Sequence, residues 1–346
     1  MTSKELVLGQ LEKHRGSFCS GEAMAVSIGI SRAAIWKAVK DLRSDGYAIT
    51  ASPKLGYRLS VDNDILSASG IAAFLSDATI PILYFDTVDS TNRIAKELAL
   101  RHAEHGTLVV AREQTAGKGR NGRSFFSPAS TGLYMSMILR PDVISSVAIR
   151  ITTAVAVAVC RAIESVVPVE ARIKWVNDIF VNGKKVCGIL TEGITGFESG
   201  RIESIVVGIG LNVSTPVHSF PTEIRSIATS LYPDGSLQPN MRNQLAASIA
   251  TQVLSAVSEI EQMSFLSEYR KRSLVLGRRL AVSQGASTYL ATAKEIDNDG
   301  SLIVVTDDNV RKILNSGEVS LRPAYDGNWN STGVEDVNLG ERGAKN

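Results

Sequence analysis

Glu113-Gln114-Thr115-Ala116-Gly117-Lys118-Gly119-Arg120-Asn121-Gly122-Arg123 is followed directly by Ser124-Phe125-Phe126-Ser127-Pro128-Ala129-Ser130-Thr131-Gly132 and then by Leu133-Tyr134-Met135-Ser136-Met137-Ile138-Leu139. Gly117-x-Gly119-x-x-Gly122 matches the dinucleotide fingerprint G-x-G-x-x-G in letters. That fingerprint works only where a helix opens on the last glycine, so that a pyrophosphate meets the helix N-terminus. Here a loop punctuated by Pro and Gly comes next, and after it an alternating apolar run that reads as a strand. Leu108-Val109-Val110-Ala111 supplies a strand on the other side. Strand, basic loop, strand argues against a Rossmann site. Lys118, Arg120 and Arg123 set among glycines still make a mobile backbone bearing fixed positive charge, suited to phosphate or carboxylate. A solvated basic hairpin would have the same composition.

Working outward, the chain is long enough for two or three domains: 346 residues, 44% hydrophobic and 21% charged, an ordinary globular balance. A net charge of +2 is too small for the whole molecule to be a nucleic-acid binder, so any such role rests on a local patch. Cys19, Cys160 and Cys187 are odd in number and far apart, which argues against a disulfide framework or zinc site and favours a reducing cytoplasm. The N-terminal residues lack the apolar core of a signal peptide. The longest apolar run, Ala154 to Cys160, is far short of a membrane span.

Residues 1–62 read as a winged helix. Ser31 is a plausible N-cap, after which Ile35, Ala38, Val39 and Leu42 form one apolar stripe. A short helix over Gly21 to Val26 and a connection at Ile28-Gly29-Ile30 make a helix-turn-helix, and Tyr47–Thr50 and Gly56–Leu59 flank a basic wing. Residues 1 to 60 hold nine Lys or Arg against five Asp or Glu, an excess of four where the whole chain has two. Such an excess is the footprint of phosphate contact. The motif nominates Ser31, Arg32, Trp36, Lys37 and Lys40 on the second helix and Lys54 and Arg58 on the wing for DNA, with a purely protein-binding winged helix as the competing reading.

Residues 65–270 alternate strands and helices and predict a mixed sheet with helices packed on it. Asp89-Ser90-Thr91-Asn92 caps a helix through Ala95, Leu98 and Ala99; Ser146 to Glu164 is a buried helix; Asn182-Gly183 is a hairpin turn; helices follow near 240–261 and 264–272. Residues 273–323 turn to short strands, predicting a small barrel. Residues 324–346 are poor in apolar side chains and predict disorder.

Ser31-Arg32-Ala33-Ala34-Ile35, Asp89-Ser90-Thr91-Asn92, the basic glycine loop, Lys174-Trp175-Val176-Asn177-Asp178, Val186-Cys187-Gly188-Ile189-Leu190 and Gly208-Ile209-Gly210-Leu211-Asn212 occur in this order over residues 1 to about 323. In this the chain resembles the bifunctional biotin protein ligases, also called biotin-operon repressors. The resemblance implies an α+β multidomain fold: a winged helix-turn-helix, a central mixed sheet like that of class II synthetases, and an SH3-like barrel. It implies ATP, biotin and Mg2+ as ligands, biotinyl-5'-AMP as intermediate and corepressor, and a biotin carboxyl carrier protein domain, operator DNA and a second copy of the chain as partners.

Carried over position by position, the resemblance gives Ser90, Thr91, Asn92 and Gln114 to the biotin ureido ring, although Ser90 and Asn92 alone read as plain helix caps. Lys118, Gly119 and Arg120 would close over biotin and the adenylate, with Gly188 beside the biotin and Arg123 on the nucleotide phosphates. Lys174 would be the principal catalytic residue, with Arg120. Phe125 would stack on adenine, and Asn177 and Asn212 would line the nucleotide side; no metal ligand is assigned. Lys118 stands where many relatives carry Arg, Phe125 where many carry Trp, and Val176 where many carry Pro. Two further readings stay open, a lipoate or octanoate ligase and a ligand-sensing regulator with an inactive ligase site. No covalent nucleophile motif is present: there is no G-x-S-x-G, H-E-x-x-H or Cys-His pair.

Overall fold

The computed structural model describes residues 2–77, 79–141, 148–195, 202–285, 287–315, 319–324 and 329. Its first unit is helical. α1 (Ser3–Lys13) opens on a capping box, Thr2 Oγ1 accepting from Glu5 N and the Glu5 carboxylate accepting from Thr2 N, which satisfies two N-terminal donors at once. α2 (Gly21–Ile28) ends on left-handed Gly29, and α3 (Arg32–Ser44) begins at Ser31, whose hydroxyl accepts from Ala34 N. The expected stripe of Ile35, Ala38, Val39 and Leu42 is buried against α1. β1 (Ile49–Ser52) and β2 (Gly56–Leu59) form the wing as an antiparallel pair.

The linker after the wing is clamped. Arg15 donates to the carbonyls of Ser60 and Asn63. From α8 (Met241–Ser258), Arg242 Nε donates to Asp64 Oδ2 at 2.9 Å and Nη2 to Asp64 O, while Nη1 reaches Ser130 O, on the far side of the basic loop. Asn243 Oδ1 accepts from Ser67 N, and its Nδ2 donates to Ile65 O. Backbone groups of a linker that would otherwise be buried unpaired find partners here, so the winged helix is held to the large unit.

Among the described residues the large unit is a mixed sheet in the order β3 (Ile82–Val88), β4 (Leu108–Gln114), β5 (Gly132–Leu139), β9 (Ile202–Asn212), β8 (Lys184–Thr195), β7 (Asp178–Val181), β6 (Arg172–Lys174). Among the described strands of this sheet only β3 and β4 pair in parallel, joined by α5 (Thr91–Leu100). Asn182 and Gly183 both have positive φ, as a two-residue hairpin requires. A strand's side chains alternate between faces, and that alternation divides the sheet's labour. Leu133, Met135, Met137 and Leu139, with Val207, Ile209 and Leu211, pack under α6 (Ala148–Val166) and α8. The opposite face receives α5 through Val109, Ile138 and Val206, and presents Ser136, Gly208, Gly210 and Asn212 from the same alternation. The short α4 (Ala68–Ala72) and α7 (Thr222–Arg225) and the later α9 (Leu266–Arg272) complete this unit.

The C-terminal unit is an antiparallel sheet ordered β13 (Arg311–Leu314), β12 (Leu302–Thr306), β11 (Ser287–Ile296), β10 (Arg279–Gln284), β14 (Val319–Pro323). β14 is a strand that the sequence pattern did not single out. Within residues 324–346, for which disorder is expected, Trp329 is buried in the main core beside Phe180, with ring centroids 6.1 Å apart. Residues 325–328 and 330–346 lie outside the described residues.

Candidate active site

Every residue nominated for biotin, nucleotide or catalysis lines one cavity on the α5 face of the sheet. The glycines of β9 make its floor. A Cβ on Gly208 would stand 2.0 Å from Asn92 Oδ1, and one on Gly210 2.5 Å from the Phe125 ring, so only glycine lets those side chains lie against the strand. Phe125 therefore packs on the floor itself, beside Gly188 and Gly210.

At one end the start of α5 meets β4 and β5 in a buried polar network. Ser90 occupies the N-cap position but its side chain makes no capping bond, so capping does not account for it. Gln114 Oε1 accepts from Thr91 N at 2.8 Å and Thr91 Oγ1 at 3.1 Å, and Gln114 Nε2 donates to Ser127 Oγ. Ser136, fully buried, donates to Asn92 Oδ1 at 2.6 Å and lies 2.8 Å from Thr91 Oγ1. Asn92 Nδ2 donates to Glu192 Oε2 at 2.8 Å, and Lys96 pairs with the same carboxylate. Asn92 is thus no helix cap: its amide is fixed in orientation, nitrogen toward Glu192 and oxygen toward Ser136. This suits recognition of a small polar ring with both donors and an acceptor.

The basic loop is a hairpin. Gly119 N donates to Arg123 O, Phe125 N donates to Gly117 O, and the tip is a turn of 3-10 helix over Arg120–Gly122. No α-helix opens on Gly122, in agreement with the reading against a dinucleotide fold. Lys118 and Arg123 are exposed, but Arg120 turns inward and donates from Nη1 to Asn177 Oδ1 at 3.0 Å. Burial lowers the Arg120 pKa below its ordinary value, with Asp178 and Tyr269 opposing and Arg123 adding to the effect; a guanidinium stays charged regardless.

Lys174 ends β6, and the turn behind it is pinned from three sides. Trp175 Nε1 donates to Gly300 O, Tyr269 Oη donates to Val176 O, and Asn177 Nδ2 donates to Ile189 O at 2.7 Å. Anchored turns of this kind hold a charge in place before ligand arrives. Burial pushes the Lys174 ammonium below its usual pKa; Asp178 resists, and Lys185, Arg123 and Arg322 reinforce the depression. Asn177 spends both ends of its amide inside the protein, its oxygen on Arg120 and its nitrogen on Ile189 O. Asn212 lines the cavity and donates to Thr229 O.

Several lining residues escaped the sequence reading: Asp178 and Lys185, paired at 2.7 Å, Phe220, and Val319 and Leu321 of β14. Among the described residues, Asp178 is the one carboxylate in the lining against five cations: Lys118, Arg120, Arg123, Lys174 and Lys185. Among the described residues no three His, Cys, Asp or Glu side chains converge. Magnesium commonly travels on substrate phosphates with its own waters rather than in an all-protein cage.

The nominated DNA residues lie elsewhere, in the winged helix. Arg32, Trp36, Lys37 and Lys40 are exposed along α3, and Lys54 and Arg58 on the wing; Ser31 caps α3. Lys40 Nζ stands over the Trp36 ring and Arg58 over Phe18. No helix among the described residues is long and apolar enough to cross a membrane.

Residues 84–212 match the Biotin/lipoate A/B protein ligase family, residues 4–58 an HTH domain and residues 275–322 the Biotin protein ligase C terminal domain. The chain is similar to the Bifunctional ligase/repressor BirA of Bacillus spizizenii, 35% identical over 324 residues that cover 90% of this chain and 97% of the relative. It is likewise similar to the Bifunctional ligase/repressor BirA of Escherichia coli, 30% identical over 318 residues, 89% of this chain and 94% of the relative. Among solved structures, the biotin protein ligase from Aquifex aeolicus in complex with biotin and ATP superposes with a TM-score of 0.61 at 27% identity, covering 70% of this chain and 99% of that one.

Proposed function

The chain belongs to the bifunctional biotin protein ligase and repressor family, and from that premise we propose that its cavity joins biotin to ATP and passes the biotin on to a carrier protein. A biotin carboxylate oxygen attacks the α-phosphorus, the bond to pyrophosphate breaks, and biotinyl-5'-AMP forms. The acceptor lysine of a biotin carboxyl carrier domain then attacks the acyl carbon, an amide forms, and AMP leaves with its electron pair. Both reactants of the first step are anions, so the protein's task is to bring them together and to stabilise charge building on the phosphoryl oxygens.

The observation that carries this reading is the meeting, in one cavity, of five cations facing one carboxylate with the Thr91–Ser136–Asn92–Gln114 network. The network takes the ureido ring. Lys174, anchored and half-buried, bridges the biotin carboxylate and the α-phosphate, while Arg120, aimed by Asn177, grips the same oxygens through a planar fork. Lys118 and Arg123, at the exposed loop, reach the distal phosphates and exclude water as the loop settles. Phe125 and Asn212 flank the nucleotide. Magnesium enters as the nucleotide's own complex, and no step is assigned to it.

The winged helix binds operator DNA through α3 and the wing, and the adenylate acts as corepressor by favouring a homodimer. Three free cysteines fit a reducing, cytoplasmic setting. The test is transfer of labelled biotin to an apo carrier domain with MgATP, by wild type and by Lys174→Ala. Transfer that collapses in the variant supports the ligase; no transfer by the wild type, with DNA binding intact, would move the reading to a regulator with an inactive ligase site. A chain that stays monomeric with saturating biotin and ATP would refute the dimer.

A further inference from the structure

Trp329 lies beyond the residues matched by the C-terminal domain family, which end at 322, and beyond the last strand, β14. It is nonetheless buried, edge-on to Phe180 of β7, with the Lys174 ammonium 5.3 Å from its ring centroid and the Arg278 guanidinium 5.9 Å from it. Those separations fall within the range in which a cation is attracted to an aromatic face, and the attraction grows where water is excluded. Lys174 lines the cavity, and its ammonium is thus within reach of both the cavity and the Trp329 ring.

We propose that Trp329 is a positioning residue for Lys174: its ring holds the ammonium charged and in place, making this indole a working part of the reaction centre. The physical need is visible in the surroundings. The charged groups that shift Lys174 include Asp178 of β7, Lys185 of β8, Arg123 of the basic loop and Arg322 of β14, and Arg278 shares the Trp329 ring with it, so cations outnumber the one anion. Burial and like charge both favour loss of the Lys174 proton. An indole face offsets this without adding a carboxylate that would repel the phosphates. Phe180 fixes the ring's orientation from the other side.

This inference rests on the reading of Lys174 as the principal catalytic residue. Its test compares Trp329→Leu, Trp329→Phe and a chain ending at Ala324 with the wild type, following biotin-dependent formation of the adenylate against pH. Leucine keeps apolar bulk and removes the ring; phenylalanine keeps a weaker ring. A desolvated cation–π contact corresponds to roughly a 5- to 30-fold change in rate. The expected result is a fall in kcat of that size for the leucine variant and the truncated chain, with KM for biotin little changed. The alkaline limb of kcat, where Lys174 loses its proton, moves to lower pH by about one unit. The phenylalanine variant lies between them and the wild type. An unmoved alkaline limb in the leucine variant and the truncated chain overturns the proposal, whether kcat holds or falls equally in all three, since equal loss marks packing alone. Full activity in Lys174→Ala would instead overturn the functional reading beneath it.

Discussion

Replacing Gly208 by alanine puts a carbon 2.0 Å from Asn92 Oδ1, well inside the closest ordinary contact, on a central strand that cannot retreat because β5 and β8 bind it on both sides. Asn92 must move instead. In moving it loses the bond from Ser136 at 2.6 Å and its own bond to the Glu192 carboxylate at 2.8 Å. A neutral hydrogen bond contributes about 0.5–1.5 kcal/mol net and one to a charged group about 1.5–3, so the folded state loses about 2–4.5 kcal/mol. Biotin affinity falls by at least about tenfold, since each 1.4 kcal/mol is a factor of ten and the ring loses its oriented amide. Titration calorimetry with biotin and urea denaturation, run in parallel, measure the two effects. Gly193→Ala is the control, because its Cβ would meet Ile202 Cδ1 at an ordinary 3.5 Å. A Gly208→Ala protein that binds biotin within threefold of wild type would refute the reasoning, and with it the assignment of Asn92 to the biotin end.

Asn177→Ala frees Arg120 from a charge-assisted bond of about 1.5–3 kcal/mol and should lower kcat for adenylation by roughly 10- to 100-fold with little change in KM, seen by single-turnover kinetics. Lys37→Ala or Lys40→Ala should weaken DNA binding across sequences and reduce the dependence of log K on log salt by about one, leaving biotin transfer intact. The acid side of stability should follow Glu164, which receives two bonds from Arg272, at 2.6 and 2.8 Å. Burial alone would raise the Glu164 pKa, but the Arg272 guanidinium and Ala171 N–H outweigh it and the folded value lies below 4.5. Its stabilisation is therefore complete above the unfolded value and disappears as pH falls through the folded one. Glu164→Gln should flatten that acid limb in urea midpoints taken from pH 6 to pH 3, and an unchanged limb would count against it.

Local signals carried the elements whose cause is local. The positive-φ turn at Asn182-Gly183, the Ser31 cap and the loop-then-strand order after Gly122 each depend on a few adjacent residues, and each was legible. The cavity's membership was legible through the resemblance, but its wiring was not. Ser136 stood out in principle as one hydroxyl inside the apolar run Leu133 to Leu139, yet its partner Asn92 lies 44 residues away and on another element. That Asn177 bonds Arg120 and Ile189 O through its amide is not written in the local sequence either. β14 and the burial of Trp329 were not legible because they come from packing on β10 and Phe180, contacts that no local pattern announces.

The most direct test of the account is biotin-dependent exchange of labelled pyrophosphate into ATP, which isolates the first step from carrier and DNA. The account predicts exchange by the wild type that requires biotin, is not supported by lipoate, and is lost in Lys174→Ala. Exchange driven equally well by lipoate, or persisting at the wild-type rate without Lys174, would contradict it.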